Sequence, residues 1–197
     1  MIHHHGKHIY RRFRIDIGCL VLLLLLSLIF ALPSFALKPI RTISGTVIKV
    51  SDGDTITVHT PEQTKLKVRL YGIDAPETEK VNSETGQVSK PGQPMGDESK
   101  TFLTSLVLDK TVNLDVLDID KYHRLVCVVW LKTDNINLKM IKAGMAEAFV
   151  EYLNDQIYRQ MFIGAEQEAK AGNLGIWSKE NYVRPRDFRK RHSVSGG

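Results

Sequence analysis

The chain is poor in cysteine. Of its 197 residues only Cys19 and Cys127 are cysteines. Cys19 lies in an apolar amino-terminal run, which leaves Cys127 alone in the remainder, so no intrachain disulfide can staple the fold. The apolar setting of Cys127, Leu-Val-Cys-Val-Val-Trp-Leu, marks a buried structural thiol rather than a reactive one. Zinc-type spacing of Cys and His is missing around the acidic clusters, which argues against a soft-metal site. Internal repeats are also missing, which excludes a solenoid. Strong charge of one sign is lacking too. The whole chain carries +5, but four of its 27 Lys+Arg and one of its 22 Asp+Glu fall in residues 1–36. The remainder holds 23 against 21, a net charge of about +2, so charge balance alone does not point to nucleic acid.

The amino terminus reads as an export signal. Lys7, Arg11, Arg12 and Arg14 form a basic region, residues 17–32 are almost unbroken apolar sequence, and Ser34-Phe35-Ala36 offers small residues for a peptidase. Cleavage is expected after Ala36, placing the domain in the periplasm or outside the cell. The alternative is an uncleaved anchor that leaves the domain outside the cytoplasm, although the run is short for an untilted span. His3, His4, His5 and His8 fall in this segment and are assigned no function.

The remaining 161 residues suit one domain with a real core. Its expected bounds are 37–183, followed by a basic flexible tail over 184–197, frayed at Arg184 to Arg191. Alternation predicts strands over 43–50, 55–59, 65–71, 111–116 and 125–131. In the third, Leu66, Val68 and Leu70 face one way and Lys67, Arg69 and Tyr71 the other. Helices are predicted over 96–108, over 137–143 with Asn137 as N-cap and Gly144 as stop, and over 156–171 stopping at Gly172. The last should bury Ile157, Met161, Ala165 and Ala169, with Tyr158 and Phe162 beside them. Residues 78–94, with Gly86, Pro91, Gly92 and Pro94, read as a long mobile loop. The fold class is β-rich α+β: a five-stranded Greek-key barrel of the OB type with three helices.

The chemistry-bearing residues cluster around Val68-Arg69-Leu70-Tyr71-Gly72-Ile73-Asp74-Ala75-Pro76-Glu77. There a strand runs out into a loop carrying one guanidinium and two carboxylates. Asp52-Gly53-Asp54-Thr55 forms an acidic turn just upstream, and Asp120-Lys121-Tyr122-His123-Arg124 adds a second arginine. Taken singly, the acidic turn is more often only a turn and Arg69 only a solvated strand residue. Together, carboxylates that hold a hard cation and arginines that fork onto phosphate oxygens are the parts of a phosphodiester-cleaving site. Asp54 begins a strand and Asp74 ends one, so both can face a common hollow.

These motifs, with Gln93-Pro94-Met95-Gly96-Asp97-Glu98, Asn137-Leu138, Ala143-Gly144-Met145-Ala146 and Gly175-Ile176-Trp177, resemble the staphylococcal nuclease family over roughly residues 42–180. The resemblance implies an OB barrel with three helices and a Ca2+-dependent endonuclease acting on single-stranded or locally open DNA and RNA. It implies one Ca2+, or another hard divalent ion, held by the side chains of Asp54 and Asp74 and by the backbone carbonyl of Ala75. Arg69, Arg124 and Glu77 become the catalytic residues, and Lys121, Tyr122 and Tyr152 the substrate-binding ones. Three positions depart from the family pattern: Ala75 replaces a threonine, His123 stands where glycine is usual, and Val150 replaces one of two nucleotide-packing tyrosines. A monomer with no obligate protein partner is expected. The alternative function is a catalytically silent OB module that binds single-stranded nucleic acid or a protein.

Overall fold

The computed structural model describes residues 38–193, so the proposed signal at 1–36 and the last residues of the tail lie outside the described part. The longest strand organises the rest. β1 (Arg41–Asp52) pairs antiparallel with both β2 (Thr55–His59) and β7 (Thr111–Ile119). Register shifts between Val47 and Lys49 and between Val50 and Asp52 interrupt its pairing with β2, and such bulges bend a strand enough to serve two sides of a barrel. β3 (Lys65–Leu70) pairs with β2, and β8 (Leu125–Leu131) with β7. The barrel closes through a parallel β3–β8 pairing, with Val68 opposite Leu125, Arg69 opposite Val126 and Leu70 opposite Cys127. Closure removes the sheet edge and gives the expected five-stranded OB-type barrel.

Alternation fills the interior. Val47, Ile56, Val58, Val68, Leu70, Val112, Leu114, Val116, Cys127 and Val129 are all buried. Short strands hang from the barrel: β4 (Ile73–Asp74), β5 (Lys80–Val81), β6 (Val88–Lys90), β9 (Asp134–Asn135) and β10 (Glu147–Ala148). β4 pairs with β10 and β5 with β6. The stretch expected to be a structureless loop therefore contains a hairpin. Its turn is set by Asn82, whose side chain accepts from the amides of Glu84 and Thr85.

Four α-helices are present among the described residues, one more than expected: α1 (Gly96–Val107), α2 (Ile136–Lys142), α3 (Gln156–Ala171) and α4 (Pro185–Ser193). None is long and apolar enough to cross a membrane. α1 buries Ser99, Leu103 and Val107 at four-residue spacing. α3 buries Phe162, Ala165 and Ala169, while Ile157 and Met161 stay partly exposed. The buried stripe is rotated from the one expected because the large Phe162 ring takes the core side. Asn135, not Asn137, caps α2, accepting from the Leu138 amide. Asn137 is fully buried: its Nδ2 donates to the carbonyls of Tyr71 and Cys127, and its Oδ1 accepts from Val129 N. It stitches the end of β3 to β8. Tyr71, expected to face outward with Arg69, lies just past β3 and is buried against the Tyr158 ring.

The basic end is the clearest departure. Residues 185–193 form helix α4 rather than a frayed tail, with Pro185 in the first turn and Lys190, Arg191 and His192 in the last.

Candidate active site

Asp54 occupies the tight β1–β2 turn, where its backbone carbonyl accepts from Leu70 N at 2.8 Å. That bond fixes the turn against the end of β3, beside Arg69. The Asp54 carboxylate is buried and saturated with donors: Oδ1 accepts from the Thr55 hydroxyl at 2.9 Å and pairs with Arg69 Nη1, and Oδ2 accepts from Ala75 N at 3.0 Å. Burial pushes its pKa up, but Arg69 and these hydrogen bonds outweigh burial and hold it below the ordinary carboxylate value. Gly53 lies close under Ser99 and Ala75, with no space for a side chain, so the turn sits flush on the loop that carries Asp74.

Asp74 is on β4, opposite Glu147 of β10, and is wholly buried. Arg69 Nη2 donates to its Oδ1 at 2.8 Å and to the Ile73 carbonyl at 3.3 Å. Arg69 thus bridges the carboxylates of Asp54 and Asp74. Burial favours its neutral form, but those two carboxylates favour the cation more and raise its pKa. Asp52, next to Asp54, behaves oppositely: burial and the Asp54 charge push its carboxyl up to about 6, despite Lys80 Nζ at 3.5 Å.

Glu77 is held by its backbone. Its N donates to Gln93 Oε1 at 3.1 Å and its carbonyl accepts from Gln93 N at 2.9 Å. Gly96 packs so closely on the Glu77 carbonyl that any β-carbon would collide with it. The Glu77 side chain pairs with Lys90 at 3.9 Å and, more closely, with Arg189.

Arg189 escaped the sequence reading, which placed it in a frayed tail. From α4 its Nη1 donates to Asp74 Oδ1 at 3.0 Å and Glu77 Oε1 at 2.8 Å, and its Nη2 to Asp74 Oδ2 at 2.8 Å. The signal for α4 was present in Pro185, Asp187 and the basic run 189–191. Glu147 was also missed: it is buried, receives Arg184 Nε at 3.0 Å, and burial pushes it up to about 7 although Arg184 opposes this.

The structure joins Asp54, Arg69, Asp74 and Glu77, and places Ala75 beside them through its amide. Arg124 has Asp120 as its partner. It sits after the β7–β8 turn with Nε and Nη2 both 2.7 Å from Asp120 Oδ2. Its guanidinium lies 5.4 Å from the Tyr122 ring centre, and Lys121 Nζ lies 5.1 Å from it. His123 has φ of 58°, the left-handed conformation that favours glycine. The turn keeps the geometry a glycine would give it, and the substitution places the strain on histidine. Tyr122 and Tyr152 are 65% and 63% exposed, with Tyr152 resting on Phe149 at 4.5 Å between ring centres.

Among the described residues no three His, Cys, Asp or Glu side chains gather as a metal cluster. The convergent acceptors are nonetheless all oxygens, a set suited to a hard cation. A cationic guanidinium already bridges Asp74 and Glu77 at 2.8–3.0 Å, so positive charge fits between them.

Residues 67–179 match the family model described as staphylococcal nuclease homologue. An uncharacterized endonuclease of Haemophilus influenzae is 37% identical over 175 residues, covering 89% of this chain and 88% of that relative. The thermonuclease of Staphylococcus intermedius is 36% identical over 142 residues, covering 71% and 79% respectively. A micrococcal nuclease of Shigella flexneri is 32% identical over 155 residues, covering 74% and 80%. These likenesses decide for a hydrolase against a silent binding module, with nucleic acid as the substrate class. The chain belongs to the staphylococcal nuclease homologue family and is a nuclease.

Proposed function

We propose that the chain is an exported, Ca2+-dependent nuclease that hydrolyses phosphodiester bonds of DNA and RNA as a monomer. The observation that carries this reading is the buried junction in which Arg69 spans Asp54 and Asp74 at the barrel end. Two buried carboxylates on one arginine, with Glu77 adjacent, form an oxygen-rich hollow that also holds a fork donor.

Asp54, Asp74 and the Ala75 carbonyl would hold one divalent ion, which when bound supplies polarisation of a phosphoryl oxygen and orientation of water. With no thiolate or paired histidine, weak binding is expected, ~10⁻⁴–10⁻³ M. Arg69 supplies paired N–H donors to equatorial phosphate oxygens as charge builds on them. Arg124 does the same after its fork leaves Asp120, and the left-handed turn at His123 sets its starting direction. Glu77 orients or deprotonates the attacking water; surrounding positive charge makes it a weak base. Lys121 meets phosphate, and the exposed rings of Tyr122 and Tyr152 pack on the nucleotide.

Cleavage of single-stranded DNA by the purified protein, with Ca2+ and then with excess chelator, tests the reading. Rapid cleavage abolished by chelator is expected, and undiminished cleavage in chelator overturns the metal requirement. Export is tested by intact mass of protein from its native host. A chain starting at Leu37 outside the cytoplasm is expected; a membrane-bound chain retaining residues 1–36 means an anchor.

A further inference from the structure

Helix α4 is fastened to the catalytic side of the domain by Arg184 just before it and by Arg186 and Arg189 within it, which together engage four carboxylates. Arg184 pairs with Glu147 at 3.0 Å, Arg186 with Glu151 at 2.6 Å, and Arg189 with Asp74 and Glu77 at 2.8 Å each. Gln93, which holds the Glu77 backbone, also donates through Nε2 to the Val183 carbonyl at 3.0 Å, just before the helix. The one large apolar residue within the helix, Phe188, is half-buried and packs on His192 of the same helix. Apart from the buried ring of Pro185 and part of Phe188, docking rests on charge and hydrogen bonds, which ions and polyanions can exchange.

The Arg189 contact is specific. Its fork takes both oxygens of Asp74, a carboxylate otherwise sealed from solvent, and reaches Glu77 with the same nitrogen that meets Asp74 Oδ1. A cation ligated by Asp74 needs an oxygen that Arg189 occupies. The water-directing role of Glu77 needs the other carboxylate it holds.

We propose that α4 is an intramolecular plug: Arg189 and the catalytic cation compete for Asp74, so the enzyme is held closed until the ion displaces the helix. This rests on the Ca2+ reading above. A plug docked about ten times more often than it is released weakens apparent Ca2+ affinity about tenfold. By reciprocity, Ca2+ shifts the helix toward release, and fully so when the ion saturates the site. Once released, Arg186 and Arg189, three positions apart on one face, are free to meet the substrate backbone.

Ca2+ titration by calorimetry on the wild type, Arg189→Gln and Arg191→Gln tests this. The second variant removes the same charge from the exposed side of α4. Tighter Ca2+ binding by about tenfold in Arg189→Gln, with Arg191→Gln like wild type, is expected. Equal or weaker binding in Arg189→Gln overturns the plug while leaving a Ca2+ site in place. Absence of Ca2+ binding in all three overturns the Ca2+ reading and the plug with it. Amide exchange of residues 185–193 in the wild type decides independently, even if Arg189→Gln fails to fold. Faster exchange with saturating Ca2+ supports displacement, and unchanged exchange while Ca2+ binds refutes it.

Discussion

Arg69 Nη2 lies 2.8 Å from Oδ1 of Asp74, and that carboxylate is sealed from solvent. The same guanidinium reaches Asp54 from the β1–β2 turn. A strand end, a turn and a short β-bridge thus converge on one cation, and the barrel's closure sets their spacing. Glu77 is added from outside by Gln93 and Gly96.

Replacing Asp74 with Asn keeps the shape and removes the charge that both Arg69 and a divalent ion require. Activity should fall at least ~10²-fold, the scale of losing one electrostatic partner of a transition state. Near-ultraviolet circular dichroism should remain native. Loss of the folded signal in Asp74→Asn would show a structural role instead.

Tyr152 and Arg124 should separate binding from chemistry. Tyr152→Ala should raise KM with little change in kcat, because a ring packed on the nucleotide contributes alike in ground and transition states. Arg124→Lys keeps charge but loses the fork, so kcat should fall and KM hold. Steady-state kinetics on one short single-stranded substrate read both, and a silent Arg124→Lys would mean that Asp120 keeps Arg124 out of the reaction.

Asn137 should matter for stability out of proportion to its size. Asn137→Ala leaves the Tyr71 and Cys127 carbonyls and the Val129 amide without its hydrogen bonds in a dry interior. A loss of roughly 3 kcal/mol is expected from the unmet Tyr71 carbonyl and Val129 amide, the Cys127 carbonyl still accepting from Tyr71 N. Urea denaturation measures it, and a loss under 1 kcal/mol would show that the strands pair without it.

Stability should also carry a pH signature from Glu147. Burial raises its carboxyl from 4.5 to about 7 in the fold, so the folded state holds a proton that the unfolded state has released. Its stabilising effect is full below about pH 4.5 and is lost as pH rises through about 7. Glu147→Gln should remove that slope, so the wild-type-minus-variant stability difference should change by an amount on the order of 1–3 kcal/mol across this window. Chemical denaturation in chelator at several pH values reads it; a parallel pH profile in both proteins would contradict it.

The barrel was legible because its strands alternate cleanly: Val68 with Leu70, and Val112 with Leu114 and Val116, point inward as read. The junction of Asp54, Arg69 and Asp74 was legible because a turn and a strand end carry it on short, ordered stretches of chain. Asn137 was misread as a cap because capping and strand-stitching call for the same short amide, and only the tertiary fold distinguishes them. On α3 the expected Ala165 and Ala169 are buried, but Ile157 and Met161 are not, because core packing chose the neighbouring Phe162 for the rest of the stripe. Arg189 was out of reach because its partners lie over a hundred positions away, and a basic run at a chain end ordinarily reads as solvated.

On the proposed reading Arg69, set between Asp54 and Asp74, stabilises the transition state. Single-turnover cleavage of one short single-stranded substrate by Arg69→Lys, with Ca2+ saturating and folding verified, tests it most directly. A rate lower by ~10²–10³, with substrate affinity nearly unchanged, is expected. A rate close to wild type would contradict it.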